Sequence, residues 1–264
     1  MHAVSTGLTF EEASRMFPLQ RSLAQKTETR CLSFFCLSGD CLDPERCSAL
    51  LGVKPTEARA KGEKLHRREI PAPTGEWSIE HDWHICKSLR DEGEAFLPEL
   101  RPLKDMISQC ISEQQLSASF CSVFEVFGKD YPDLELSTEL IVCFSDLGVE
   151  FSIDWYDFSE FEVIPDNKRT NVGAMGSCIF SNSKTKLVYK VGALQEMSLE
   201  EIVVKVLKGL RGKINDNRDV IETAITVFVE VHHGEVPLLV LPVPLLKTMR
   251  NMKASLSIKW RRIS

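Results

Sequence analysis

A chain of 264 residues, 43% hydrophobic and 27% charged, is long enough for one large or two modest buried cores, and its 14 Gly and 12 Pro are too few and scattered for a fibrous or disordered polymer. A formal net charge of −6 argues against a general nucleic-acid binder, which needs a basic surface to neutralise phosphates. No apolar run approaches bilayer length, and Met1 to Gln25 has neither a charged start with an apolar block nor a small-residue cleavage site, so the expectation is a cytoplasmic protein with no membrane contact.

Residues 1–28 hold a short amphipathic helix, Phe10 to Phe17, and read as an appended arm. Leu32 to Leu37 reads as a buried strand, and Asp43-Pro44 opens a helix as N-cap and first residue, which stops at Gly52. A polar segment runs from Pro55 to Pro73, too charged to be core. Glu76 to Glu80 alternates as a half-buried strand with Trp77 and Ile79 inward. Apolar residues at helical spacing follow from Leu89 to Leu103 and on to Cys110, with Pro98 and Pro102 dividing them into two pieces. Phe120 to Phe127 is a strand, Ser137 caps a helix ending at Gly148, and Phe151, Ile153 and Trp155 form the inward face of a last strand.

Sliding the chain along itself by 105 positions places Pro132–Leu136 on Pro237–Leu241, Leu140 on Leu245 and Phe151–Trp155 on Leu256–Trp260, without a gap. The expected fold is therefore α+β: two related modules with mainly antiparallel sheets covered by helices, the second a partial copy without the opening strand and its Asp43-capped helix. The division is an arm at 1–28, a first module at 29–158, a connector at 159–176 and the partial copy at 177–264. Charge differs between the copies: Asp154 becomes Lys259, Asp157 becomes Arg262, Asp146 becomes Asn251 and Val142 becomes Lys247, which suits packing of one half on the other.

At Ser38–Glu45, Leu51–Thr56, Lys61–Glu63, Glu76-Trp77 and Phe151–Tyr156 the first module resembles the bacterial domain of unknown function 4279 family, over roughly residues 30–158. The resemblance implies the fold and brings no reaction, cofactor or catalytic residue to carry over.

The nine cysteines, an odd number placed mostly in apolar runs, read as reduced buried thiols. His81, His84 and Cys86 are the most metal-like group, yet a zinc site needs ligands from a second element and no paired Cys or His motif supplies them; no metal or cofactor is expected. Neither Gly-Xaa-Ser-Xaa-Gly nor His-Glu-Xaa-Xaa-His occurs, and Val172–Ser177 lacks the lysine of a phosphate loop. Acids crowd Glu125 to Glu162 with Lys129 the only base, which suggests a binding module of immunity type that occludes a basic protein through Asp133, Glu135, Glu139, Glu150, Asp154 and Asp157. The alternative is an enzyme of unfamiliar type with a small-ligand or phosphate pocket at Arg59, Lys61, Lys64, Arg67 and Trp77.

Overall fold

The computed structural model describes residues 28–64, 71–86, 88–127, 132, 134–157, 171–180, 183–191, 198–211, 220–231 and 239–262. The expected helix Phe10 to Phe17, Arg67, Asp133, the His232-His233-Gly234 segment and residues 159–170 of the connector lie outside these.

Two sheets carry the fold. In the first, β1 (Arg30–Gly39) is flanked by β3 (Gly75–Glu80) and β5 (Ser117–Val126), both antiparallel to it. The short β2 (Glu57–Arg59) edges β3, and β4 (His84–Ile85) pairs with the start of β1. Beyond β5 lies β7 (Glu150–Asp157), parallel to it, because the chain between them is spent on β6 (Leu134–Leu136) and the crossover helix α4 (Thr138–Leu147). The helices form where the sequence punctuates them. Asp43 accepts from the Glu45 and Arg46 amides at 3.1 Å to open α1 (Pro44–Leu51), and Ser137 caps α4, each ending at a glycine of positive φ, Gly52 and Gly148. The helical stretch from Leu89 does divide in two, as α2 (Leu89–Leu100) and α3 (Lys104–Gln114). The break is a single 3-10 turn at Pro102, whereas Pro98 is carried inside α2.

Side chains on one face of this sheet pack under α2 and α4. Phe35, Phe120 and Phe151 stand in register across β1, β5 and β7, and all are buried. Phe144 of α4 stacks on Phe120 with centroids 5.0 Å apart, and Phe96 of α2 meets Phe120 edge-on at 5.0 Å. The two helices approach closely at Gly93, where a Cβ would come within 2.8 Å of Leu140. Trp155, expected buried, is only half-buried and stacks on Phe124 at the rim; the side chain of Trp260 is outside the described set.

The second sheet runs β6-β12-β10-β8-β9, from β8 (Asn171–Phe180), β9 (Ser183–Val191), β10 (Val220–Val231) and β12 (Ala254–Arg262). Two helices accompany it, α5 (Leu199–Arg211) and α6 (Val243–Asn251). The halves trade strands. β6, from the first half, pairs with β12, while β11 (Leu239–Leu241), from the second, pairs with β7. Leu134 sits opposite Ile258 and Leu239 opposite Ile153; Phe120 sits opposite Phe151 and Ile225 opposite Leu256. In each comparison both partners lie 105 positions apart between the halves.

Three expectations change. β8 begins at Asn171, so residues 171–176 are strand rather than connector. β8 also lies beside β10 as β1 lies beside β5, so the second sheet does not lack that strand; its two glycines and small residues hid it. Only residues 181–182 separate β8 from β9, leaving no room for a counterpart of α1. Finally, the halves meet through α4 against α6, with an Asp146–Arg250 ion pair, and through the traded strands. Asp154 instead accepts from its own neighbours, the Trp155 amide and the Tyr156 hydroxyl, and Lys259 is exposed.

Because Leu241 and Leu136 are each buried in the other half's sheet, unfolding is expected as one transition. Leu241→Ala and Leu136→Ala should each cost about 2–5 kcal/mol in chemical denaturation and shift the whole transition, with no separate melting of either half.

Candidate functional site

The chemically best-equipped place among the described residues is at the start of β1. Antiparallel pairing sets Cys31 opposite His84, and the Cys86 amide continues the ladder to the Thr29 carbonyl at 3.0 Å. Two residues later Ser88 caps α2, whose Asp91 amide it binds at 3.2 Å, and this lays the first turn of the helix over β1. Glu92 is thereby carried on the buried stripe of α2, with Leu89, Gly93 and Phe96. Its carboxylate Oε2 accepts from Ser33 at 3.4 Å, Ser33 is 2.8 Å from Ser122 on β5, and Oε1 is 2.5 Å from His84 Nε2. His84 Nδ1 donates to the Asp82 carbonyl at 2.8 Å, and Nε2 is 3.6 Å from Cys31 Sγ. The ligating atoms of Cys31, Cys86 and Glu92 lie within 4.8 Å of one another, and all three residues are buried, while the His84 side chain is 44% exposed.

Burial opposes the charged form of His84, but the Asp82 carbonyl and the Glu92 carboxylate outweigh it and hold the imidazole above its ordinary value. The Cys31 thiol is held protonated by hydrogen bonding to Cys86, by burial and by the Glu92 charge. His81, grouped with this cluster by sequence, is elsewhere: it stacks on Phe96 at 3.7 Å and contacts Glu99 at 3.0 Å. Ile85 is 55% exposed, and Trp83 lies beneath the Arg30 guanidinium at 5.5 Å. The second element that the sequence did not supply is in fact two, Cys31 from β1 and Glu92 from α2. A carboxylate on an otherwise apolar helical stripe was the signal available for Glu92.

The ligand-pocket candidates do not converge. Arg59 is paired with Glu57 and Glu76, Lys61 with Asp40 at 2.7 Å, and Lys64 is exposed. Trp77 is wholly buried, its indole N–H donating to Ser48 at 3.0 Å, so it is core rather than pocket wall. The acidic candidates spread over separate elements. Glu135 on β6 pairs with Arg90, Glu139 on α4 with Arg101, and Asp154 is engaged by Tyr156; Glu150 on β7 has its carboxyl pushed up by burial and by Glu200. The side chain of Asp157 is outside the described set.

Each half also has a groove beside its crossover helix. In the first, of about 140 Å³, Arg101 and Lys104 face α4 and are bridged by Glu139 and Asp146. In the second, of about 410 Å³, Lys208 and Arg211 stand at the same three-residue spacing on α5, above Val204, Leu207, Pro244 and Leu245.

Residues 27–158, half of the chain, match the family model described as Domain of unknown function (DUF4279). The chain belongs to this family. The DUF4279 match takes in β1 to β7, including Cys31, His84, Cys86 and Glu92, and ends before β8. No curated protein matches the chain.

Burial pushes the thiols of Cys110 and Cys121 up to about 11, leaving roughly 0.1% thiolate at about pH 8, whereas Cys41 is exposed. Brief iodoacetamide treatment of the native protein should therefore label Cys41 and spare Cys110 and Cys121, as read by peptide mass spectrometry.

Proposed function

We propose that the protein is a cytoplasmic protein-binding module, two copies of one unit fused and interlocked, that holds an acidic partner segment in the groove between α5 and α6. The reading of a duplication is supported by paired registers separated by 105 positions in both the parallel and the exchanged strands. Free cysteines are in keeping with a reducing compartment, and no helix among the described residues is long and apolar enough to cross a membrane.

The observation that carries the binding role is the contrast between the two grooves. Both present two cations three residues apart, Lys208 and Arg211 on α5 and Arg101 and Lys104 across the turn between α2 and α3. In the first, α4 answers them with Glu139 and Asp146. At the corresponding positions of α6 stand Pro244 and Asn251, and among the described residues no carboxylate pairs with Lys208 or Arg211. A groove in which α6 brings no anion to the two cations of α5, whose one lining carboxylate, Glu200, stands eight residues before Lys208, and which opens to about 410 Å³ over an apolar floor suits a partner bringing both apolar anchors and carboxylates. The partner is thus acidic, opposite in sign to the one the acidic stretch suggested, since Glu135 and Glu139 of that stretch carry internal partners.

A fluorescent amphipathic peptide with two glutamates three residues apart, compared with its lysine counterpart, tests this. The acidic peptide should bind in a salt-sensitive manner, and the double change Lys208→Glu with Arg211→Glu should weaken it by roughly tenfold, two exposed pairs at up to about 1 kcal/mol each. Equal binding of both peptides, or no effect of the charge reversal, would count against the groove.

A further inference from the structure

We propose that Cys31, His84, Cys86 and Glu92 form a zinc-binding site that clamps β4 and α2 to the start of β1. The donor set decides the metal: two thiols, an imidazole and a carboxylate suit zinc and are poor company for magnesium or calcium, which want oxygen alone. Cys31, Cys86 and Glu92 converge from separate parts of the chain, and His84 joins them through Cys31 and Glu92, so the grouping is a property of the fold and not of a local sequence run.

The geometry is near what the ion needs. Bonds of about 2.0–2.3 Å place tetrahedral zinc ligands roughly 3.3–3.8 Å apart. Cys31 Sγ and His84 Nε2 already stand at 3.6 Å, and the three buried donor atoms lie within 4.8 Å of one another. The 2.5 Å contact of His84 with Glu92 opens by roughly 1 Å to admit the ion. The surroundings are those of a metal site too. His84 Nδ1–H donates to the Asp82 carbonyl, which turns Nε2 inward towards Glu92, and the Ser33–Ser122 pair holds the far oxygen of Glu92.

The bland alternative is a hydrogen-bonded polar cluster, and it is a poor solution on its own terms. Glu92 is 5% exposed and lies against two buried thiols, with His84 the one base paired with it among the described residues. Burying a carboxylate among such groups costs free energy that a divalent cation offsets. Loading releases the two thiol protons together with the one held between His84 Nε2 and Glu92, and closes four protein ligands around the ion, leaving no position for substrate; the role is structural. His84, half in solvent on a two-residue strand, is the side from which the ion arrives.

The full chain, purified without chelator, is to be titrated with Co²⁺ and then Zn²⁺. One equivalent of Co²⁺ should give a thiolate-to-metal charge-transfer band that Zn²⁺ abolishes, and Zn²⁺ but not Mg²⁺ should raise the melting midpoint by roughly 5 °C or more. Cys31→Ser and Cys86→Ser should each weaken the band, and together remove it; Glu92→Gln should loosen binding at least roughly tenfold, while Cys47→Ser, a buried thiol elsewhere, leaves it intact. If the cysteine variants fail to fold, the wild-type band and melting shift decide. A folded wild-type protein without the band, a band that survives loss of both cysteines, or Glu92→Gln binding as tightly as wild type overturns the site. None of these outcomes bears on the α5–α6 groove, which lies in the other half.

Discussion

Everything in this molecule leans on two strands of three residues each. β6 and β11 are too short to stand as a sheet of their own, and each is used in the half of the chain it does not come from. Leu134, Leu136, Leu239 and Leu241 are buried there at 1%, 2%, 1% and 0% exposure. The exchange closes one edge of each sheet, at β7 and at β12, with backbone hydrogen bonds rather than with water. It also sets the position of α4 and α6, each of which begins within two residues of its traded strand and so must pack against the other.

From that constraint the rest follows in order. The crossover helix returns the chain to a parallel strand, β7 beside β5 and β12 beside β10, and the apolar side chains under it merge into one core running through both halves. With α4 fixed, Gly93 lets α2 lie against Leu140, and the first turn of α2 is brought over β1. Glu92 reaches Ser33 and His84 because a glycine one residue further on permits that approach. The candidate metal ligands are therefore products of the core packing, not ornaments on a loop.

Much of this could be read from the residues. Asp43, Ser137, Gly52 and Gly148 announce helix ends through chemistry that acts within a few residues, and those ends are where they should be. The alternation at Trp77 and Ile79 and at Phe151 and Ile153 names a buried face directly. Local patterns fail where pairing across the chain decides. β8 is glycine-rich and holds because antiparallel neighbours flank it on both sides. β6 and β11 are too short to show a period. Trp155 has the pattern of a core residue, but it stands at the rim, where the sheet face ends. Cys31 and Glu92 are 61 positions apart in sequence, and no spacing rule joins them; only the lay of α2 on β1 does. Charge was the weakest guide, because a run of acids says nothing about which cations the fold will bring to it, and Arg90, Arg101 and Lys104 answer several of them.

The traded strands also change what it means for one half to drift. A substitution at 134–136 is borne not by its own sheet but by the one opposite Leu256 and Ile258, and a substitution at 239–241 is borne beside Phe151 and Ile153. Each half thus carries a short text that only the other half can read, and a compensating change must arise in the other half. Inheritance has to treat the two as one unit: a recombination falling between residues 158 and 171 would join lineages whose strands were never fitted to each other's cores.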